Sequence, residues 1–323
     1  MNEQRLTKWL IAGVVVSAIL GVGFYMLRST PPKKDPLTDP RMIQLRSALQ
    51  IEDSGDFQKA ADFYRSSLEN INNPRDPWYG QGKLGLGRVL VHTDFNEGVR
   101  ILKEVMDETS YYPTTRAFAM MVLADVEAPG FGHLELHQRA EKLYPNAISE
   151  SVIAFDLATD ALSQAPGEKE RLQKEARENL AKLDQHIGDS LMQSPGTKAN
   201  ILSRKAGALL YLGDIKESEQ TYREALQLVQ VPPTTPTHHN IEKFIRFFYS
   251  FLIASNYPER KDEARDLLQP IIPTEVVANS ALFEGWLMRT IKEGTHHGEI
   301  IGTLSSISPE FKTFVDKVKA KSR

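Results

Sequence analysis

The sequence of 323 residues contains no cysteine. The chain therefore has no disulfide framework, no thiolate ligand for a metal ion and no thiol nucleophile. A strong excess of charge is also missing, because 39 lysines and arginines and 42 acidic residues leave a formal net charge of −3. Without a strong electrostatic field of either sign, we do not expect nucleic acid as a partner.

Complete motifs for cofactor binding are missing as well. Gly80, Gly82 and Gly85 spell G-x-G-x-x-G, a pattern that binds a dinucleotide when a strand precedes it and a helix follows. Here residues 73–77 precede the glycines and read as a loop, because they contain two prolines. The glycines therefore predict close packing of a helix that begins near Leu84, and we expect no cofactor.

A metal site is not indicated by the histidines. His133 and His137 are four residues apart and share a face on a helix, but no third ligand is evident. The histidine pairs at 238–239 and 296–297 fall in stretches that read as loops. We interpret these two pairs as solvated or capping residues and expect no metal ion.

One catalytic motif occurs in isolation. Residues 188–191 read Gly-Asp-Ser-Leu, four letters shared with a family of esterases whose serine is a nucleophile activated by histidine. In that family the serine lies at a strand end, whereas here residues 169–192 have a helical pattern, and the D-x-x-H partner motif is absent from the chain. We expect Ser190 on a helix surface, and a hydrolase that uses Ser190 is kept only as a remote alternative.

The first feature that is present is an apolar run near the N-terminus. Residues 9–27 contain no charged side chain and, at about 1.5 Å rise per residue in a helix, cover roughly the 30 Å core of a bilayer. Trp9 and Tyr25 lie near its ends, where aromatic side chains favour the membrane interface. A cleaved signal peptide is the main alternative, but its apolar region has about 7–15 residues. We predict that residues 1–28 form a single-pass transmembrane anchor.

Two further expectations concern this anchor. Gly13, Ser17 and Gly21 recur every four residues and share one helix face, which lets a second helix approach closely. A homo-oligomer through the anchor is therefore one hypothesis, and the ordinary abundance of glycine in membrane spans is the other explanation. The lysine and arginine distribution barely discriminates the two orientations. Because an uncleaved N-terminal span with a very short leader commonly inserts with its N-terminus in the cytoplasm, we expect the large domain on the non-cytoplasmic side of the membrane.

The region after the anchor changes composition twice. Residues 29–40 hold four prolines and predict a semi-rigid linker. From Arg41 onward, apolar residues recur at three- and four-residue spacing between glycine and proline turns, without a convincing alternating strand. The sequence therefore predicts an all-α domain after the linker.

Two segments of this domain repeat one pattern of helix, Gly-Asp turn and second helix. The residues of the first copy are Leu45, Ala48, Ile51, Gly55, Asp56, Ala60, Tyr64 and Leu68. The residues of the second copy are Leu202, Ala206, Leu209, Gly213, Asp214, Tyr222, Ala225 and Leu226. Small residues let the helices approach, the tyrosine fills the seam with the next hairpin, and the glycine tolerates positive φ in the turn.

Both copies resemble tetratricopeptide repeats (TPRs). The resemblance implies an α-α superhelical solenoid over residues 41–272. Weaker copies or plain helical hairpins fill residues 86–102, 114–145, 148–193 and 251–268. Residues 273–323 are predicted to form capping helices and a basic tail.

The resemblance implies contact with other proteins and not turnover of a substrate. We expect a membrane-anchored scaffold for protein–protein interaction, whose concave face captures an extended or helical segment of an unidentified partner. A permanent structural subunit of a larger membrane complex is the alternative, and exposed apolar residues on the solenoid would favour it. The aromatic run of residues 244–251 is interpreted as core and not as a peptide groove.

Overall fold

The computed structural model of the protein describes residues 47–48, 50–52, 55–71, 73–127, 131–188, 195–230, 236–275, 283–293 and 298–321. Every regular element in these ranges is helical, so the predicted all-α class is confirmed. The described helices include none that combines the length and the apolar character needed to cross a membrane. The predicted anchor, with Gly13, Ser17 and Gly21, and the predicted linker lie outside the described residues.

The helices follow one another along the chain with short connections. They are α1 (Phe57–Glu69), α2 (Pro77–Thr93), α3 (Phe95–Asp107), α4 (Pro113–Glu127), α5 (Phe131–Leu143), α6 (Ala147–Asp160), α7 (Pro166–His186), α8 (Pro195–Leu212), α9 (Ile215–Val229), α10 (Pro236–Asn256), α11 (Lys261–Leu268), α12 (Phe283–Glu293), α13 (Gly298–Ile307) and α14 (Pro309–Ala320). Single 3₁₀ turns lie at Ala161–Ser163, Pro258–Arg260 and Gln269–Ile271. Residues 47–48 and 50–52, which precede α1, are helical as well.

Each helix from α1 to α11 packs against its neighbours in sequence. Beyond these neighbours, α2 contacts α4, α6 contacts α8, and α8 contacts α10. α6, α8 and α10 therefore lie beside one another in this order, and the surface that they share with α12 is called the even-helix face below. At the C-terminal end, α12, α13 and α14 pack on one another, and both α12 and α13 contact α10.

The two repeat copies have the same local geometry at their turns. Gly55 and Gly213 have φ angles of 82° and 86°, and no other described residue has a positive φ. A side chain is strained at this φ, which explains why glycine ends the first helix of each hairpin. The structure buries the other packing residues of both copies, which are Ala48, Ala60, Tyr64, Ala206, Tyr222 and Ala225.

The helix that contains the G-x-G-x-x-G pattern begins earlier than predicted. α2 begins at Pro77 and not near Leu84, because the Asp76 side chain accepts the backbone N–H of Trp78 and caps the helix. The glycines thus lie inside a helix, where a strand-turn-helix cradle is absent. A Cβ on Gly85 would lie 2.3 Å from the ring of Tyr64, so the glycine serves close packing.

The C-terminal region contains the helices α12, α13 and α14. The buried residues of α13 are Ile300, Ile301, Leu304 and Ile307. Lys317 and Lys319 lie in the last turn of α14, where cations interact favourably with the negative end of a helix. α14 continues to Ala320 and buries Val318 on its inner face.

The core consists of two clusters of buried side chains. The first extends from the helix before α1 to α8, and the second from α8 to α14. Phe155, Ile187 and Tyr211 are partly buried and pack against both clusters. The junction between the clusters therefore lies around α6 and α8.

Candidate binding pocket

A pocket of about 170 Å³ lies at this junction, on the even-helix face. Its lining residues are Phe155, Asn200, Ser203, Arg204, Tyr222, Asn240, Ile241, Phe244, Phe248 and Trp286. The side chains come from α6, α8, α10 and α12, except that Tyr222 reaches the pocket from α9.

Helical spacing brings the lining residues onto common surfaces. Asn200 and Arg204 are four residues apart in α8, so they lie one above the other on the same face. Asn240, Phe244 and Phe248 follow the same spacing in α10. Because α8 and α10 contact each other, the two rows face a shared space.

Gly207 permits the close approach of Phe155 to α8. A Cβ at position 207 would lie 2.5 Å from the Phe155 ring and 3.4 Å from the Tyr222 hydroxyl oxygen. The ring occupies the space that any larger residue would need, so glycine keeps Phe155 in its present position. Phe155 forms one wall of the pocket, and Gly207 therefore helps to determine the shape of the pocket.

Aromatic rings form most of the apolar wall. The ring centroid of Trp286 lies 5.0 Å from that of Phe244 and 5.8 Å from that of Phe248. Phe155 meets Phe248 edge-on, with 6.2 Å between centroids. Phe155, Phe244 and Trp286 are only partly buried, so part of each ring is accessible to a ligand. An apolar or aromatic group fits such a wall.

Two buried asparagines direct amide groups towards the pocket. Asn240 is 3% exposed, and its Oδ1 accepts the backbone N–H of Phe283 at 2.8 Å. This hydrogen bond fixes the amide orientation and leaves Nδ2 without a partner among the described residues. Asn200 is 7% exposed, and its Nδ2 also has no hydrogen-bond partner there. Buried polar groups are normally hydrogen-bonded, so each free amide indicates a ligand group or water.

Tyr222 contributes a third buried polar group. Its side chain is fully buried, and the hydroxyl oxygen has no hydrogen-bond partner in the described part of the chain. Burial raises the pKa of Tyr222 well above 10, so the hydroxyl stays neutral and retains its proton. The hydroxyl therefore can donate to a ligand as well as accept.

The equivalent tyrosine of the first repeat has partners. Tyr64 and Tyr222 both follow their turn glycine by nine residues. The Tyr64 hydroxyl lies 3.3 Å from Oε2 of Glu52 and 3.3 Å from Nη2 of Arg88. Leu210 occupies the position in the second copy that Glu52 has in the first, three residues before the glycine. A leucine cannot accept a hydrogen bond, which explains why the Tyr222 hydroxyl is left open.

Arg204 supplies a cation at the pocket. Its side chain is half-buried, and within the described ranges it forms neither an ion pair nor a hydrogen bond. The other cations of α8 are paired, Lys198 with Glu224 at 3.1 Å and Lys205 with Asp184 at 2.7 Å. On α10 the two cations are also paired, as Lys243–Glu284 and Arg246–Glu242. Arg204 is thus available to an anion.

The pocket is suited to binding a ligand. The polar atoms that the described residues contribute to its lining belong to amide, hydroxyl and guanidinium groups. Among the described residues, no group of three metal-binding side chains occurs. What the pocket offers is a row of donors beside an aromatic wall.

A second polar cluster joins the first repeat to α2. Arg88 binds Glu52 through two hydrogen bonds of 2.5 and 2.6 Å, and both side chains are at most 5% exposed. His92 stacks on Phe57 with 3.9 Å between ring centroids. Burial, with the nearby Arg88 charge, lowers the pKa of His92 to about 4. Glu52, Arg88 and Tyr64 satisfy one another by hydrogen bonds here, so this cluster is structural.

A third polar contact joins α6 to α7. His186 Nδ1 lies 2.7 Å from Oε1 of the buried Glu150, whose pKa is raised by burial. Ser190, the residue of the remote hydrolase alternative, lies outside the described residues. Glu150 and His186 connect the two helices of one hairpin.

For the histidines and aromatic residues of the sequence patterns, the structure agrees with some expectations and differs from others. His137 is buried in α5, and the His133 side chain lies outside the described residues. The pair 238–239 lies in the first turn of α10, so the prediction of a loop there is wrong, because the helix starts at Pro236. The interpretation of residues 244–251 as core agrees with the burial of Phe247, but Phe244 and Phe248 also line the pocket.

Sequence patterns alone did not indicate Asn200, Arg204, Asn240 or Trp286. The available signal was an asparagine four residues before another pocket residue, at Asn200 before Arg204 and at Asn240 before Phe244. Such a polar residue on an otherwise apolar stripe indicates either a capping bond or a ligand contact. Asn240 has the capping bond on its oxygen and a free donor on its nitrogen.

Comparison with known proteins gives no relative. The sequence matches no protein-family model and no curated protein, and the fold matches no solved structure.

Proposed function

We propose that the protein is a membrane-anchored scaffold that binds a segment of another protein on its even-helix face. The observation that carries the proposal is the pocket, in which buried polar groups without partners lie beside accessible aromatic rings. Such groups cost free energy in the unbound protein, and a bound segment compensates that cost. Protein recognition therefore accounts for the pocket without any catalytic step.

A TPR-like stack of helical hairpins is the architecture that we infer for this scaffold. The inference is supported by contacts between successive helices and by the shared turn geometry of Gly55 and Gly213. It is also supported by the contacts of α2 with α4, of α6 with α8 and of α8 with α10. In stacks of this kind, the first helices of successive hairpins form one continuous surface that is open to an extended or helical ligand. α6, α8 and α10 would be these first helices.

The anchor remains a proposal from the sequence. Residues 9–27 are long and apolar enough to span a bilayer, and we place the helical domain on the non-cytoplasmic side. Contacts through Gly13, Ser17 and Gly21 would make the protein a homo-oligomer in the membrane.

A permanent subunit of a larger membrane complex is the second candidate. Obligate interfaces are more hydrophobic than transient ones, so such a subunit needs a broad exposed apolar surface. Among the described residues, the exposed large hydrophobic side chains are Phe63 and Leu162, at 38% and 47%. They lie on α1 and in the 3₁₀ turn after α6, and two isolated side chains do not make a broad surface. This sparse exposure favours the scaffold that binds its partner reversibly.

The proposed function is tested by crosslinking in cells, followed by purification of the full chain from solubilised membranes and mass spectrometry. We expect a reproducible partner with the full chain. When residues 1–40 are deleted, we expect the protein to be absent from the membrane fraction. A protein that stays in the membrane without residues 1–40 would exclude the anchor. Recovery of the chain alone, at saturating crosslinking, would exclude the scaffold.

A further inference from the structure

We propose that the pocket binds one large apolar side chain, preferably aromatic, that is flanked by an aspartate or glutamate in the partner segment. This inference rests on the proposed function and specifies the chemistry of the ligand. It depends on three observations, which are the size of the pocket, the donor character of its polar atoms and the free cation Arg204.

The volume of the pocket favours a single side chain. Pockets for cofactors and other small molecules usually hold about 300–1,000 Å³, whereas this pocket holds about 170 Å³. A cavity of about 150 Å³ is enough for one benzene ring. One ring or one large aliphatic group therefore fills the space between Phe155, Phe244 and Trp286.

The polar atoms of the pocket select for acceptors in the ligand. The free groups of Asn200 and Asn240 are amide N–H donors, and the Arg204 guanidinium has donors only. A ligand rich in donors would leave these groups unsatisfied. The backbone carbonyls beside an inserted side chain are acceptors at the required place, so an extended peptide satisfies the two amides.

The charge of Arg204 adds a requirement for an anion. Every other cation of α8 and α10 is paired with a carboxylate of the protein itself, so Arg204 is the basic side chain that remains for a ligand. A planar guanidinium matches the geometry of a carboxylate through two parallel hydrogen bonds. An acidic side chain near the inserted ring supplies that carboxylate. A single arginine beside so small a pocket does not match a nucleotide, which would need room for base, sugar and phosphate.

The test starts from a library of short random peptides displayed on phage and selected against the full chain in detergent micelles. We expect the retained peptides to share an aromatic or large aliphatic residue close to an aspartate or glutamate. One retained sequence is then synthesised with an amidated C-terminus, so that its only carboxylates are side chains. Its affinity is measured by fluorescence polarisation for the wild type and for the variants below.

Arg204→Gln should lower the affinity for this peptide by about 10- to 100-fold, as expected for loss of a hydrogen bond between charged groups. Changing the acid of the peptide to its amide should cause the same loss with the wild type and little further loss with Arg204→Gln. The matched control Lys174→Gln removes one positive charge from an exposed position of α7 and should leave the affinity unchanged. Arg204 has no partner within the described ranges, so its replacement should leave the melting temperature unchanged.

Trp286→Ala tests the apolar part of the pocket. It should reduce the affinity for the same peptide at least as much as Arg204→Gln does. Retained peptides without an acidic residue, or an affinity that Arg204→Gln leaves unchanged, would overturn the inferred ligand chemistry while the scaffold function stands. An empty selection would also overturn it. The scaffold function fails separately, when crosslinking in membranes recovers no partner.

Discussion

The two equivalent tyrosines allow one sharp test of the structural reasoning. Removing the hydroxyl of Tyr222 by Tyr222→Phe deletes a buried polar group that has no partner in the described part of the chain. Removing the hydroxyl of Tyr64 by Tyr64→Phe deletes a group that contacts Glu52 and Arg88, each at 3.3 Å. The same chemical change at the same repeat position should therefore have opposite effects on the free energy of unfolding.

The magnitudes follow from the environment of each hydroxyl. A buried polar group without a partner costs about 1–3 kcal/mol, so its removal should stabilise the free protein by about 1 kcal/mol after the loss of packing around the oxygen. Hydrogen bonds to charged groups contribute about 1.5–3 kcal/mol to stability. The hydrogen bonds of the Tyr64 hydroxyl are long, so their contribution should lie near the lower end of this range. The two variants should thus differ by about 2–3 kcal/mol in stability.

The assay is thermal unfolding of the full chain in detergent, followed by circular dichroism. For a chain of this size, 1 kcal/mol shifts the melting temperature by about 2–4 °C, so the two variants should be separated by roughly 5–10 °C. A loss of stability in Tyr222→Phe as large as that in Tyr64→Phe would refute the reasoning. It would mean that the Tyr222 hydroxyl is hydrogen-bonded in the free protein and that the pocket lacks this open group.

Three further predictions concern the folded chain. Glu52→Leu, which introduces the leucine found at the equivalent position of the second repeat, should destabilise by about 3 kcal/mol because it leaves the Arg88 charge buried and uncompensated. The double variant Glu52→Leu/Arg88→Met should recover most of this loss in urea unfolding, and no recovery would contradict a buried ion pair. The pKa of His92 is lowered to about 4 in the folded state, so stability that is present above pH ~6.5 should be lost as the pH falls towards 4, by at most about 3 kcal/mol. His92→Phe keeps the stacking on Phe57 and should remove this part of the pH dependence, whereas an unchanged pH profile would show that other groups cause it. Gly213→Ala should cost about 1–2 kcal/mol because of its φ of 86°, and a smaller cost in urea unfolding would mean that the turn relaxes.

The sequence predicts the helical class and the repeat turns because both depend on local patterns. Apolar residues at three- and four-residue spacing specify helices, and a glycine before aspartate specifies the turn at Gly55 and Gly213. Helix starts were less predictable where proline and glycine gave conflicting signals. At Pro77 the capping by Asp76 decides the start, so α2 begins before Leu84 and the glycines are packing positions inside it.

The pocket was not predictable in the same way, because its residues are close only in the folded chain. Trp286 reaches Phe244 across 42 positions of sequence, and no periodic pattern relates them. The open state of Tyr222 is also a property of the fold, since it depends on which residue of the preceding helix takes the position that Glu52 has in the first repeat. Leu210 and Glu52 look like ordinary variation in the sequence, yet they decide whether a buried hydroxyl is satisfied.

The junction of the two core clusters has a consequence for how the molecule loses structure. Phe155, Ile187 and Tyr211 pack against both clusters, and α8 contributes buried residues to each cluster, so the coupling between the two halves depends on this junction. Phe155 also forms a wall of the pocket, and a ligand that holds its ring restrains the junction itself. Occupancy should therefore raise cooperativity: amide hydrogens on both sides of α8 would exchange through one common opening when ligand is bound and through separate openings when it is not.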